Sequence, residues 1–303
     1  MRSARLVRRV AFGAALAGFV APVVRRRLSL PPALTSVLSW QTPLAVALVL
    51  PRSRTRHAAV YAAQMWAYVT HYELPNDDPE ALRRRARVEY PIRVDRALGL
   101  GEVPTLRLQG ALGRPGDVRP HDTALSVVHW AWFFAPHTAL LWILWRHPER
   151  FAGSAAQVAA VFDLGAVVYW VLPTAPPWWA ADAGALPHVR RIMVEAGERA
   201  WGRHWTRLYD SLSGNQLAAM PSLHFATSVM AAHVLADVGT VPGAVGWAYA
   251  GALGFALVYL GEHYVADLVA GLALAEGVRR AAPAAAPAGR AVARLVRSVE
   301  PRL

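Results

Sequence analysis

Long apolar stretches alternate with short arginine-rich blocks through most of this chain. Residues 10–24 form a short apolar run behind the basic stretch from Arg2 to Arg9. Residues 28–50 are long enough to span a bilayer, which takes about 20 apolar residues, although Pro31, Pro32 and Pro43 make that span irregular. Residues 57–74 are amphipathic and aromatic, suited to a span or to the interface. Residues 75–122 are polar, Arg-rich and punctuated by Pro and Gly, which predicts a loop with surface helices. Within it, the alternation from Tyr90 to Gln109 predicts a segment on the membrane surface. Four clearer spans follow at 123–145, 151–173, 221–238 and 243–262, and a shorter fifth at 264–280 closes with Arg279 and Arg280. The pattern predicts an all-α, polytopic membrane protein in four parts. These are an N-terminal anchor region (1–56), an amphipathic interfacial segment (57–122), a transmembrane core (123–280) and an Ala/Pro/Arg-rich flexible tail (281–303).

Composition sharpens this reading. Hydrophobic residues make up 55% of the chain and charged residues 17%, with a formal net charge of +12. Every basic residue is Arg, with no Lys anywhere. The excess positive charge flanks apolar runs, as at Arg25-Arg26-Arg27 and Arg52-Arg54-Arg56. That is the placement of anchors against anionic lipid head groups rather than of a nucleic-acid surface. Cysteine is absent, which excludes disulfides and thiolate metal sites. The basic N-terminus followed by an apolar run also fits a signal peptide, but it lacks a small-x-small cleavage site, and an anchor or interfacial helix fits better.

Two short stretches carry the candidate chemistry: Met220-Pro221-Ser222-Leu223-His224 and Gly261-Glu262-His263-Tyr264-Val265-Ala266-Asp267. Alternating spans bring the end of 151–173, the start of 221–238 and the end of 243–262 to one membrane face, beneath a loop at 174–220. Asp267 follows His263 by four residues, which on a helix places both on one face. A carboxylate there holds one imidazole nitrogen and leaves the other as a nucleophile. Pro221 suits the first turn of a helix, whose free N–H groups seat phosphate. Ser222 adds a hydroxyl, and His224 is placed to protonate a leaving oxygen. A His-x3-Asp pair is commonly structural, and His233 and Asp237 repeat the spacing further along the helix, away from this face. A metal site from His224, His263 and Asp267 is the alternative chemistry, but it lacks an obvious third ligand source.

These motifs resemble the second and third signatures of the PAP2 (type 2 phosphatidic acid phosphatase) superfamily, over roughly residues 90–280. The resemblance implies a six-helix membrane core and a phosphohistidine mechanism without metal or other cofactor. His263 would be the nucleophile, Asp267 its orienting carboxylate, His224 the acid and Ser222 a phosphate ligand. The superfamily's first motif uses a Lys and an Arg-Pro pair, and with no Lys the chain cannot carry that motif in standard form. In its place stands Tyr169-Trp170-Val171-Leu172-Pro173-Thr174-Ala175-Pro176-Pro177-Trp178, and Leu257 occupies the position of the third motif's Arg. The Pro-Thr-Ala-Pro-Pro and Leu260-Gly261-Glu262-His263-Tyr264 wording resembles the inositol-phosphotransferase branch, which includes the inositol phosphorylceramide synthases.

Phosphate still requires cations. The loop at 174–220 offers Arg190 and Arg191 first, then Arg199, Arg203 and Arg207, since a guanidinium grips phosphate with two bonds. Asn215 and Gln216 are placed for a polyol head group or for a turn. Asp163, mid-span, calls for a partner, with His129 or His137 as candidates. A membrane-lipid phosphoester is the expected substrate, in a multi-pass protein of the plasma (inner) membrane. The Arg146-to-Arg150 turn and the Arg279-Arg280 end favour an extracytoplasmic site. The alternatives are a phosphatase only, or a lipid carrier with a dead core.

Overall fold

The computed structural model describes residues 2–202, 204, 205, 207 and 214–300. Arg203 lies outside the described residues. Among the described residues the chain is all-helical apart from turns and three isolated bridges. Among the described residues, four helices are long and apolar enough to cross a membrane, or up to five if one bent pair is a single span.

The N-terminal part is α1 (Arg2–Val24), then α2 (Pro32–Trp40) and α3 (Thr42–Val49), which interrupt the 28–50 span at Gln41. α4 (Arg54–Glu73) starts on a Ser53 cap, whose side chain accepts from Arg56 N. It buries Ala63 and Ala67, two small residues that bring it close to its neighbours.

The polar segment expected at 75–122 carries short helices, and the stretch from Tyr90 to Gln109 packs against the bundle. The short helices are α5 (Pro79–Arg85), α6 (Glu89–Leu98) and α7 (Pro104–Leu112). α6 buries Pro91, Ile92 and Asp95. The alternating pattern places these on one face, and that face packs into a buried cluster with Val103, Ala180 and Tyr264.

The span expected at 123–145 is broken. α8 (Pro120–Ala131) and α9 (Ala135–Arg146) meet at 51°. Three i→i+3 bonds tighten the break, from Trp132 N, Phe133 N and Phe134 N to His129 O, Trp130 O and Ala131 O. Pro136, which cannot donate a backbone bond, follows it directly.

α10 (Pro148–Val171) is followed by the short α11 (Pro177–Asp182) and by α12 (Ile192–Trp201). Then come α13 (Leu223–Ala236), α14 (Thr240–Tyr259) and α15 (Val265–Val299). The main buried cluster joins α10, α13 and α15 through Val158, Phe162, Val229, Met230 and Ala275. The tail expected to be flexible continues α15 as helix through Pro283 and Pro287. Its alanines favour helix, and Glu300 just beyond it pairs with Arg52 and Arg56. Asp163 takes Gln64 of α4 as its partner (2.9 Å) instead of a histidine, and His137 pairs with the Tyr61 hydroxyl.

Candidate active site

Three separated segments are bolted together by bonds that do not depend on the catalytic side chains. Tyr169, near the end of α10, donates its hydroxyl to Pro221 O (2.8 Å) and accepts from Leu223 N (3.3 Å). The Pro173-to-Pro177 stretch is held from both sides. Thr174 N donates to Leu217 O and Ala219 N donates to Thr174 O, while Ala175 N donates to Arg87 O. Ser222 N then donates to Asp267 O at 3.0 Å, tying the second motif to the third through the main chain. Gly271 makes room for this contact, because a Cβ there would sit 2.7 Å from Ser222 O.

Ser222 is the cap of α13: it is fully buried, and its Oγ accepts from Phe225 N at 3.3 Å. Pro221 therefore precedes the cap rather than occupying the helix's first position. His224 stands in the first turn. The third motif begins where α14 ends. Gly261 takes φ +84°, a left-handed conformation that glycine adopts without penalty. The next two amides, Glu262 N and His263 N, both bond Leu257 O (3.1 Å each). This turn aims His263 back into the bundle.

His263 lies before α15, not on its face. Asp267 is the third residue of that helix and accepts from Tyr264 N (2.9 Å) as its reciprocal cap. The same oxygen, Asp267 Oδ2, faces His263 Nδ1 at 3.2 Å. The expected contact is present, but a capping turn makes it rather than a helical face. With Nδ1–H donated to Asp267, His263 Nε2 carries a lone pair and faces His224 Nδ1 at 3.1 Å. His263 and Asp267 are both buried. Asp95 of α6 reinforces the turn, its Oδ1 accepting from Ala266 N at 2.8 Å. Burial pushes the Asp95 carboxyl up to about 6, against the pull of these amide bonds.

The two histidines open into a cavity of about 350 Å³. Arg191, Asn215, Gln216, Glu262 and His129 share its wall with aromatic and apolar side chains. Arg191 lies 3.6 Å over the Trp178 ring. Asn215 Oδ1 accepts from Leu217 N, and its Nδ2 is buried without a partner. Burial raises the Glu262 carboxyl, with Arg191 and His263 pulling the other way.

Arg190 does not join this wall. Its guanidinium is paired with Glu195 and donates to Asp117 O (3.0 Å), while Gln109 brackets its backbone. Arg199 points to Val118 O (2.5 Å). Sequence reasoning missed Asp95 and placed His129 beside Asp163. Asp95 carried no local signal, because its partner amide is 171 residues away. Among the described residues, no group of three or more His or carboxylate side chains is arranged to hold a metal ion.

The family model of the PAP2 superfamily matches residues 92–279, from within α6 to within α15. No curated protein and no solved structure matches the chain. The chain belongs to the PAP2 superfamily, a group of phosphatases and phosphotransferases acting on phosphoesters.

Proposed function

We propose that this PAP2-superfamily membrane protein cleaves a lipid-linked phosphoester at the His224–His263 pair. The observation that carries the reading is His263 Nε2, freed by the Nδ1 contact to Asp267 and opposed at 3.1 Å by His224 Nδ1 in a cavity. The substrate phosphorus enters between the rings. Nε2 attacks it, the P–O bond to the leaving group breaks, and imidazolium His224 gives its Nδ1 proton to the departing oxygen. The product is an N-phosphorylated His263 and a free alcohol. Neutral His224 then takes a proton from water or from an acceptor alcohol. The new oxygen displaces the imidazole, which restores both histidines. Asp267 holds one tautomer throughout and offsets the positive charge that forms on His263.

Of the two outcomes, we favour transfer of a phosphoinositol-type head group. Asn215 Nδ2, a buried donor with no protein partner, and Gln216 line the cavity beside the histidines, where polyol hydroxyls would supply acceptors. The wording around Pro173 and Gly261 points the same way. Simple hydrolysis is the second reading, supported by the identical first half-reaction. We place the site on the extracytoplasmic face of the plasma (inner) membrane. The short Arg146-to-Arg150 turn lies at the opposite end of α10 from the site, and short loops carry the orientation signal.

The test is an assay of purified protein in detergent with a phosphoinositol lipid and a phosphatidate in parallel, with His263→Ala as control. Head-group transfer lost in the variant supports the favoured reading. Free phosphate from phosphatidate, lost in the variant, establishes the phosphatase instead. Activity unaffected by the substitution would sink both.

A further inference from the structure

The mechanism above uses two histidines, but four line the cavity, and of the other two His137 is already bonded to the Tyr61 hydroxyl. His129 stands in the last turn of α8, immediately before the break that bends the span. It is 4% exposed, and its Nδ1 is sealed from solvent with no hydrogen-bond partner. Its ring centroid lies 5.1 Å from that of His224, at 31°. Trp132, one turn later, packs on His224 at 4.1 Å and is itself fixed by donating Nε1–H to Thr227 Oγ1 (2.9 Å). The break in α8 thus presents a histidine and a tryptophan together around His224.

A buried imidazole without a full set of partners is costly in a packed protein, and such groups in native folds call for an explanation. Packing alone does not supply one here, since an apolar side chain of equal size would fill the same space without the penalty. The phosphate needs cationic donors, and the chain contains no Lys. Arg190, the first-choice cation of the sequence, is spent on Glu195. Among the described residues Arg191 is the arginine that lines the cavity, where it lies over Trp178 and acts on Glu262.

We propose that His129 is a third substrate-contacting imidazole, donating an N–H to a phosphoryl oxygen on the His224 side of the site. The proposal rests on the phosphoester reading and adds a specific ligand to it. His129 takes part of the role that basic residues of the standard first motif would fill. It forms no covalent bond and leaves nucleophile and acid unchanged.

The experiment is titration of the purified full-length chain in detergent with inorganic phosphate, followed by calorimetry, for wild type, His129→Gln, His129→Met and His263→Ala. Gln keeps an N–H donor at similar reach, and Met keeps the volume without a donor. Phosphate affinity is expected to fall about tenfold or more in His129→Met, as for loss of a charge-assisted bond, and to be largely kept in His129→Gln. Equal affinity in wild type and His129→Met overturns the proposal, as does no phosphate binding by wild type. An equal loss in the Gln and Met variants also overturns it, since a donor would then not be what matters. Thermal melting of both variants identifies a loss caused by misfolding, and His129→Asn then repeats the donor comparison. The phosphoester reading fails on a different result: lipid turnover that survives His263→Ala, whatever the phosphate titration gives.

Discussion

The chain contains the spacing His-x3-Asp twice, and the two copies behave differently. His263 and Asp267 touch; His233 and Asp237 do not pair with each other. His233 Nε2 binds Glu276 at 2.6 Å, and Asp237 binds Arg279 at 2.8 Å, both on α15. The second copy lies at the end of a regular helix, where neighbours on the adjacent helix win both side chains. The first straddles a helix start, where the amides of an unfinished turn orient the carboxylate before the histidine reaches it. Spacing supplies the opportunity, and the local backbone decides whether a pair forms.

The comparison breaks most sharply by substitution. His263→Ala should lower lipid turnover by about 10⁴-fold or more, whereas His233→Ala should leave it near the wild-type value in the same assay. Asp267→Asn keeps a capping acceptor but loses the carboxylate charge, and should cost roughly 10²- to 10⁴-fold in turnover with the fold retained by circular dichroism. Gly261→Ala tests the backbone itself. Its Cβ would stand 2.8 Å from Arg190 O in a left-handed conformation, so melting should register a loss of about 1–3 kcal/mol, with turnover reduced. Asp95 sharpens the comparison through pH. Its folded carboxyl titrates at about 6, above its ordinary value of 3.8, so the folded state holds its proton more tightly than the unfolded state. Its contribution to stability therefore declines as pH rises from about 4 to 6. Melting curves across that window should slope downward for wild type and flatten in Asp95→Asn. The smallest effect is Asp237→Asn, which removes a partly exposed ion pair and should cost no more than about 1 kcal/mol, without moving turnover.

The two motifs, their convergence and the helical membrane architecture were legible because each leaves a local trace. An apolar run, a proline and serine near a helix start and a histidine near a carboxylate are all written within a few residues, although Pro221 stands before the cap and not in the first turn. The family match over 92–279 agrees with the resemblance read from those residues. What escaped were contacts across long separations. Tyr169 reaches Pro221 across 52 positions, and Asp95 reaches Ala266 across 171. No period or spacing encodes such partners. The break at 132–134 was also hidden, because Trp132, Phe133 and Phe134 continue the apolar pattern across it. Periodicity reports burial and not backbone direction. Arg190 and Arg191 show the remaining limit. Adjacent and chemically identical, they are divided only by the placement of Glu195 and Trp178.

The main-chain bond from Ser222 to Asp267 bears on how such a protein diverges. It asks for no particular side chain at either end, only for a small residue opposite, at Gly271. Substitutions along the intervening helices leave it in place as long as the helix lengths hold. Side chains lining the cavity can therefore change while the two histidines stay 3.1 Å apart.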